Sequence, residues 1–203
     1  MKTAVLFGAS GLIGSHLFEL LLESSIYSKI KIFSRKSLNV HHPKVEEHII
    51  NFDNLEKYSN KINGDDCFYS IGTTRKLTPN KIDYINIEFH LPVKIAKISK
   101  NNNIKSFVYI SSGGANAKSK NLYLQNKGKA EKEIMSLSFN FLAIIQPSIL
   151  LGYRKENRTG ERIAKLIFKN LSFLFIGKLR PFRAIHAKKV AKAIMIIIQK
   201  RIQ

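Results

Sequence analysis

The stretch FGASGLIG, residues 7–14, decides the fold of this chain. Its three glycines, at every third position, separate a short apolar run from a longer segment whose leucines recur at helical spacing. Glycine permits the tight turn that joins a buried strand to a helix. The stretch therefore predicts a β-strand, a turn and an α-helix in that order.

The rest of the chain repeats this alternation of strand and helix. The predicted strands are TAVLFGAS, KIKIFSRK, VEEHIINFD, DCFYSIG, IKSFVYISS and FNFLAIIQP. The predicted helices are LIGSHLFELLLES, YINIEFHLPVKIAKISKNN with a kink or restart at Pro92, LYLQNKGKAEKEIMSL, GERIAKLIFKN and HAKKVAKAIMIIIQK. Such alternation predicts an α/β fold, a Rossmann-like doubly wound parallel sheet covered on both faces.

The glycine turn has the spacing and the context of a dinucleotide-binding loop. Gly8 permits the turn, Gly11 lets backbone N–H groups approach a pyrophosphate, and Gly14 lets the helix pack against the strand. The pyrophosphate would lie at the positive end of that helix. The alternative is that the glycines only turn the chain. The predicted cofactor contacts in this loop are Gly8, Ser10, Gly11, Leu12, Ile13 and Gly14.

The end of the second predicted strand favours NADP(H) over NAD(H). An acidic residue there would bind the ribose diol of NAD, but the strand ends in FSRKS with no carboxylate. Ser34, Arg35 and Lys36 can instead bind a 2′-phosphate, although Arg35 could also be an ordinary surface base. Asp53, after the third predicted strand, could meet the adenine edge or cap a helix that begins at Asn54.

Tyr123 and Lys127 are the predicted catalytic pair. They stand four residues apart on a predicted helix and so share one face. A lysine ammonium near a phenol lowers the phenol pKa from about 10, so that the tyrosine can exchange a proton with a substrate oxygen. Lys127 can also hold the nicotinamide ribose. Ser111 and Ser112 end the fifth predicted strand, where they can hydrogen-bond a substrate carbonyl.

Position, and not spacing, distinguishes this pair from another one. Tyr27 and Lys31 have the same spacing, but they precede the second predicted strand, at the wrong edge of the sheet. Tyr123 follows a strand that ends in serines, at the carboxyl edge where ligands of this fold bind. We therefore expect an active site around Tyr123 and none around Tyr27.

The chain resembles the atypical short-chain dehydrogenase/reductases, most closely the Tat-interacting-protein oxidoreductase family. The likeness is dense in GASGLIG, FDNLEKY, SIGTTR, SSGGANAKSKNLYLQNKGKAE and QPSILLGYRKENRTGER. It implies a Rossmann fold, NADPH binding and a Ser/Tyr/Lys active site. The positions that it implies are Ser111 or Ser112, Tyr123 and Lys127 for catalysis, Gly72, Thr73, Thr74 and Arg75 along the cofactor, and Pro147 and Ser148 beside the nicotinamide.

Two parts of the chain depart from that family. Gln146 stands where the family usually has arginine, which would alter a local hydrogen bond, and the likeness fades beyond about Ile167. We expect one domain over residues 1–203, with residues from about 150 onward on the substrate side. There Arg154 and Arg158, together with Arg75, are candidate contacts for an anionic group of the substrate. Ion pairs that only hold the loop are the alternative.

The net charge of +20 attracts polyanions, but it does not by itself define a site. The lysines are scattered, without a basic block or a nucleic-acid module, so we favour compositional drift and expect no specific nucleic-acid partner. Peripheral contact with an anionic membrane stays open. We expect no metal site, because His41, His42 and His48 have no ligand-type partners at suitable spacing. No signal peptide or membrane span is evident, so we expect a cytoplasmic protein.

Together these features predict an NADPH-dependent oxidoreductase that transfers a hydride to a small carbonyl substrate. The alternative is a non-catalytic protein of the same fold that senses NADPH. A binder of nucleic acid or anionic membranes is a third hypothesis, and the least favoured.

Overall fold

Six parallel strands form the main sheet of the computed structural model, which describes residues 1–151 and 184–202. The strands are β1 (Lys2–Phe7), β2 (Tyr27–Ser34), β3 (Val45–Ile49), β4 (Asp66–Tyr69), β5 (Ser106–Ile110) and β6 (Phe141–Ile145). Their order is β3-β2-β1-β4-β5-β6, the doubly wound order in which the sequence of strands reverses between β1 and β4. This confirms the predicted fold class, and each predicted strand is present.

Helices cover both faces of the sheet. They are α1 (Leu12–Glu23), α2 (Lys81–Ile85), α3 (Leu91–Asn101), α4 (Leu122–Ser136) and α5 (Ala187–Ile202). The predicted helix GERIAKLIFKN and the predicted substrate contacts Arg154 and Arg158 lie outside the described residues. A short parallel pair that the sequence did not predict, β7 (Leu150–Leu151) and β8 (Ile185–His186), joins the two described segments.

Alternate residues of β1 belong to two different cores. Ala4 and Leu6 pack in the core that α1 and α5 cover, whereas Val5 and Phe7 pack in the core beneath α3 and α4. Successive side chains of a strand point to opposite faces, so a sheet covered on both sides needs apolar residues throughout. The uninterrupted apolar run before the glycine turn follows from this requirement.

The segment after β3 differs from its prediction. It is a 3-10 helix over Phe52–Lys61, with a kink at Asn54, and it does not begin at Asn54. Its N-cap is Asn51, whose side-chain oxygen accepts a hydrogen bond of 2.9 Å from the N–H of Asp53. The cap predicted for Asp53 was therefore wrong, because the amide two residues earlier already fills that role.

Pro92 restarts the helix, as predicted, and changes the turn before it. Residues Asn86–His90 form a π-helical turn between α2 and α3. Proline has no N–H to donate to the carbonyl of Glu88, four residues earlier, so the α-helical pattern cannot continue there. The wider turn, of a kind often found at functional sites, carries Glu88 with its side chain buried.

Candidate functional site

The glycine loop has a backbone that side chains would obstruct. Gly8 has a φ of 88°, and a Cβ there would lie 2.8 Å from the Oγ of Ser70. A Cβ on Gly14 would overlap the carbonyl oxygen of Gly8. The N–H of Gly11 donates a 2.9 Å hydrogen bond to that same carbonyl and closes the turn. The turn therefore depends on its glycines.

The helix that follows the loop begins without a side-chain cap. Gly11 is the N-cap of α1, no side chain accepts from its first N–H groups, and no acidic residue stands in its first turn. The first N–H groups of a helix have no intrahelical acceptor, and they lie at its positive end. A cradle that a Cβ would fill, at an uncapped helix terminus, suits a pyrophosphate.

A cleft of about 1040 Å³ opens beside this loop, along the carboxyl ends of β1, β4 and β5. Residues predicted for the cofactor, the substrate and catalysis line it together. Those residues are Ser10, Gly11, Leu12, Ile13, Gly72, Thr73, Thr74, Arg75, Ser111, Tyr123 and Lys127. The predicted site residues outside its described lining are Gly8, Gly14, Ser34, Arg35, Lys36, Asp53, Ser112, Pro147 and Ser148.

Tyr123 and Lys127 face the cleft from the first turns of α4. Asn121 caps this helix, and its side-chain oxygen accepts hydrogen bonds of 3.0 and 3.2 Å from the N–H groups of Tyr123 and Leu124. The ammonium of Lys127 lies 6.0 Å from the centre of the Tyr123 ring. It also donates a 3.4 Å hydrogen bond to the carbonyl of Ile110, at the end of β5.

Glu88 is the ion-pair partner of Lys127, a role that the sequence analysis did not predict. Its Oε2 lies 3.0 Å from the Lys127 Nζ, and both side chains are buried. Its Oε1 accepts a 2.5 Å hydrogen bond from the N–H of Thr73. One sequence signal was available: Glu88 follows Tyr84 by four residues, so a carboxylate stands on the apolar face of a predicted helix.

Two further tyrosines surround this ion pair. Burial raises the pKa of Tyr109 to about 12, against the opposing effect of Lys127, whose Nζ lies 5.1 Å from its ring centre. Burial and then the Glu88 charge raise the pKa of Tyr84 to about 12, and the guanidinium of Arg75 lies 5.4 Å from the centre of its ring. We call Tyr84, Glu88, Tyr109, Tyr123 and Lys127 the cleft cluster.

The charge of Lys127 is maintained by its neighbours. Burial by itself lowers the pKa of Lys127, but Tyr109 and Glu88 outweigh that effect, so this pKa lies above the ordinary lysine value. The lysine is therefore an ammonium at neutral pH, and Glu88 balances its charge.

Of the two candidate serines, Ser111 lines the cleft. Its hydroxyl donates to the carboxylate of Glu131, which also accepts 2.8 and 3.0 Å hydrogen bonds from the amide of Gln146. Gln146 thus contacts Glu131 at the position where the resemblance implied arginine. Ser112 lies outside the described lining, and its hydroxyl is 3.4 Å from the carbonyl of Gly113.

The loop after β6 lies against the loop after β5. The N–H of Gly113 donates a 2.8 Å hydrogen bond to the carbonyl of Pro147, and the half-buried Ser148 follows. These two residues therefore stand next to the serine loop, although they do not line the cleft.

The residues predicted for a 2′-phosphate lie at the end of β2. Arg35 and Lys36 are exposed, and the Ser34 hydroxyl donates a 2.8 Å hydrogen bond to the carbonyl of Lys36. The fold also brings in a carboxylate that the sequence did not indicate. Glu47, from β3, accepts a 2.7 Å hydrogen bond from the Ser37 hydroxyl and a 2.6 Å bond from the N–H of Leu38.

A second polar cluster lies at the opposite, amino edge of the sheet. Asp66 is fully buried there and accepts hydrogen bonds of 2.9 Å from the Tyr27 hydroxyl and from Arg201. Lys2 lies 3.2 Å from the same carboxylate, and the Ser106 hydroxyl donates to it. We call these five residues the buried network. Burial, followed by the Asp66 charge, raises the pKa of Tyr27 well above its ordinary value.

Two absences hold for residues 1–151 and 184–202. No helix in these segments is long and apolar enough to cross a membrane. No three His, Cys, Asp or Glu side chains meet there as metal ligands would. The ring of His48 stacks on Phe33 with ring centres 4.7 Å apart.

A doubly wound sheet with a glycine cradle at a helix terminus defines a dinucleotide-binding protein. The same class emerges from comparison with known families, because a family described as NAD(P)H-binding matches residues 8–199. The chain belongs to this NAD(P)H-binding family of atypical short-chain dehydrogenase/reductases.

Individual relatives agree with this assignment. Protein HTATIP2 of Rattus norvegicus is 31% identical over 174 residues, which cover 84% of this chain and 72% of that protein. The protein named FMP52, mitochondrial, of Candida glabrata is 36% identical over 180 residues, which cover 87% and 72%. The Bordetella bronchiseptica enzyme WbmH in complex with NAD+ shares the fold, with a TM-score of 0.71 at 15% identity over 98% of this chain and 73% of that one.

Proposed function

We propose that this protein is an NADPH-dependent oxidoreductase that reduces a small carbonyl substrate. One observation carries the proposal: Tyr123, Lys127 and Ser111 line the same cleft as the glycine loop. A phenol, an ammonium and a hydroxyl beside a dinucleotide cradle are the groups that reduction of a carbonyl requires from a protein.

The residues along the cleft suit the cofactor. The backbone of residues 10–13 would hold the pyrophosphate, and residues 72–74 would lie along the cofactor. When bound, NADPH supplies the hydride that reduces the carbonyl carbon. The protein contributes binding through that backbone, and the proton through a side chain.

Each of three side chains has a distinct role in this proposal. Tyr123 gives its hydroxyl proton to the substrate oxygen as negative charge develops there. Lys127 stabilises the resulting phenolate by its positive charge. Ser111 turns its O–H from Glu131 toward the same oxygen and helps to polarise the carbonyl. The open cleft gives water access to the phenol, so that its proton can be replaced.

We propose NADPH as the preferred cofactor because the exposed bases after β2 remain available to a 2′-phosphate. Arg35 and Lys36 are exposed, whereas each oxygen of Glu47 accepts a hydrogen bond from the loop between β2 and β3. These bonds orient the Glu47 carboxylate toward its own protein and leave it less able to bind a ribose diol than the acidic residue of NAD-binding proteins. In this arrangement Asp53 would meet the adenine edge.

Charge at the cleft mouth favours a substrate with an anionic group. Arg75 is exposed, lines the cleft and rests on Tyr84, which holds its guanidinium in place. In the proposal, Arg75 binds the anionic group, with Arg154 and Arg158 as further contacts.

Cofactor preference is tested with Arg35→Ala. Because a charged hydrogen bond contributes about 1.5–3 kcal/mol, the variant should bind NADPH at least about tenfold more weakly and NADH unchanged. Lys132→Ala, an exposed lysine of α4, is the control that removes the same charge elsewhere. Equal losses for NADPH and NADH, or none, would refute the preference.

Turnover is tested by NADPH oxidation with a panel of aldehydes, ketones and quinones, each with and without a carboxylate. The wild-type protein should reduce at least one of them, and Tyr123→Phe should lower kcat by about 10²–10⁴-fold with the NADPH affinity kept. NADPH binding without turnover on any compound would instead support the sensor. Turnover that survives Tyr123→Phe would remove Tyr123 from the proposed mechanism.

We also propose a cytoplasmic location. Fractionation of the source cells tests it, since the relative from Candida glabrata carries the word mitochondrial in its name. Recovery in the mitochondrial fraction would contradict this proposal.

A further inference from the structure

We propose that Glu88 is a positioning residue that couples the cofactor side of the cleft to the catalytic lysine. This inference rests on the function proposed above. One carboxylate oxygen of Glu88 receives the N–H of Thr73, and the other lies 3.0 Å from the Lys127 ammonium. Thr73 belongs to the loop that lines the cofactor side, so a single side chain connects the two halves of the cleft.

Only a carboxylate can make both connections at this place. Lys127 is 3% exposed, and the titratable groups that face its ammonium are the phenols of Tyr84, Tyr109 and Tyr123 and the carboxylate of Glu88. Among the described residues, Glu88 is therefore the group that can neutralise this charge. A buried ammonium without a counter-ion is strongly destabilised, so loss of Glu88 would displace or deprotonate Lys127.

The π-helical turn explains why the carboxylate reaches this position. Residues Asn86–His90 form the turn because Pro92 interrupts the α-helical pattern behind Glu88. Gly72 lies beside the carboxylate, because a Cβ there would make an ordinary contact of 3.5 Å with the Glu88 Oε1. The turn and the loop after β4 thus meet around one buried charge.

The first experiment uses Glu88→Gln in cofactor-free protein. Glutamine keeps an oxygen for the Thr73 N–H but loses the charge that faces Lys127. The ¹³Cε resonance of Lys127, assigned by its absence in Lys127→Met, reports the amine pKa during a pH titration. We expect a lower Lys127 pKa in Glu88→Gln, because the carboxylate favours the charged amine. The same titration in wild type and variant would overturn the proposal.

The second experiment separates positioning from general damage. With a reducible quinone such as phenanthrenequinone, Glu88→Gln should lower kcat about tenfold or more, while KM and the Kd of NADPH stay within about threefold. Glu56→Gln is the matched control, because Glu56 also pairs with a lysine, Lys94, but on the surface at 2.5 Å. Unchanged kcat in Glu88→Gln, or an equal loss in Glu56→Gln, contradicts the inference.

A double variant tests whether Glu88 acts through Lys127. If Glu88 acts through Lys127, then adding Glu88→Gln to Lys127→Met should not lower kcat further. A further tenfold loss would show that Glu88 acts independently, against the inference. If the wild-type protein reduces nothing, the proposed function fails, whereas the Lys127 titration still decides the role of Glu88.

Discussion

The cleft cluster and the buried network lie at opposite edges of one sheet and use the same chemistry. Each combines a buried carboxylate, at least one cation and at least one phenol, with Glu88, Lys127 and Tyr123 in the first, and Asp66 and Tyr27 in the second. The difference is access. Four residues of the cleft cluster, all but Tyr109, line a space of about 1040 Å³, whereas no residue of the buried network lines it. Residue types alone therefore do not make a candidate site; the edge of the sheet at which they lie decides.

The buried network connects α5 to the strands of the sheet. Lys2, Asp66 and Ser106 stand on β1, β4 and β5, and Arg201 comes from the last turn of α5. A cation near the C-terminus of a helix is also favoured by the helix dipole. We infer that this cluster stabilises the fold, and that the cleft cluster uses similar groups for binding and catalysis.

The largest expected effect comes from breaking the buried network with Asp66→Ala. Removing one partner of a buried charge cluster costs about 3–5 kcal/mol, because the remaining cations lose their counter-ion. Urea unfolding should show this loss. Glu133→Ala, an exposed carboxylate of α4, should change stability by less than about 0.5 kcal/mol. A small effect at Asp66 would show that the network is not structural.

A change on the cleft side should have a smaller effect on stability and a decisive one on binding. Gly14→Ala places a Cβ against the Gly8 carbonyl, so we expect a loss of about 1–3 kcal/mol and no measurable NADPH affinity. Thermal shifts with and without NADPH test both. Gly72→Ala, whose Cβ meets only ordinary contacts, should keep its stability within about 1 kcal/mol. Tight NADPH binding by Gly14→Ala would contradict the cradle.

The smallest expected effect is a pH dependence of folding stability that arises from Tyr109, a phenol of the cleft cluster. Because its pKa in the folded protein is about 12 and about 10 in an unfolded chain, folded protein keeps a proton that unfolded chains release. The stability from this difference is complete below pH 10 and is lost as the pH rises toward 12. When the pH rises from 9 to 10.5, the free energy of unfolding of Tyr109→Phe should fall by about 1 kcal/mol less than that of the wild-type protein. Parallel losses would exclude the effect.

Local patterns sufficed to predict the glycine loop, the six strands and the position of Tyr123 and Lys127 on one helix. Gly8, Gly11 and Gly14 act within one turn, and Tyr123 and Lys127 lie one helical turn apart, so their spacing carries the information. The resemblance to a family added the residues from 72 to 75, which line the cleft.

Long-range pairing explains what the sequence could not provide. Asp66 is 64 residues from Lys2 and 135 from Arg201, and such contacts exist only after the sheet has assembled. Glu47 stands on β3, but its carboxylate contacts the loop after β2. The absence of a carboxylate at the end of β2 therefore did not reveal that one lies beside this loop in the fold. Glu88 depended on a π-helical turn, a departure from the period on which helix prediction rests.

The most direct measurement compares Tyr27→Phe with Tyr123→Phe for both stability and NADPH-dependent turnover. We expect Tyr27→Phe to lose about 1–3 kcal/mol of stability, as it removes a hydrogen bond to a buried carboxylate, and to keep turnover within about twofold. We expect Tyr123→Phe to keep its stability and to lose turnover about 10²–10⁴-fold. The reverse pattern, with turnover lost at Tyr27 and kept at Tyr123, would contradict the account.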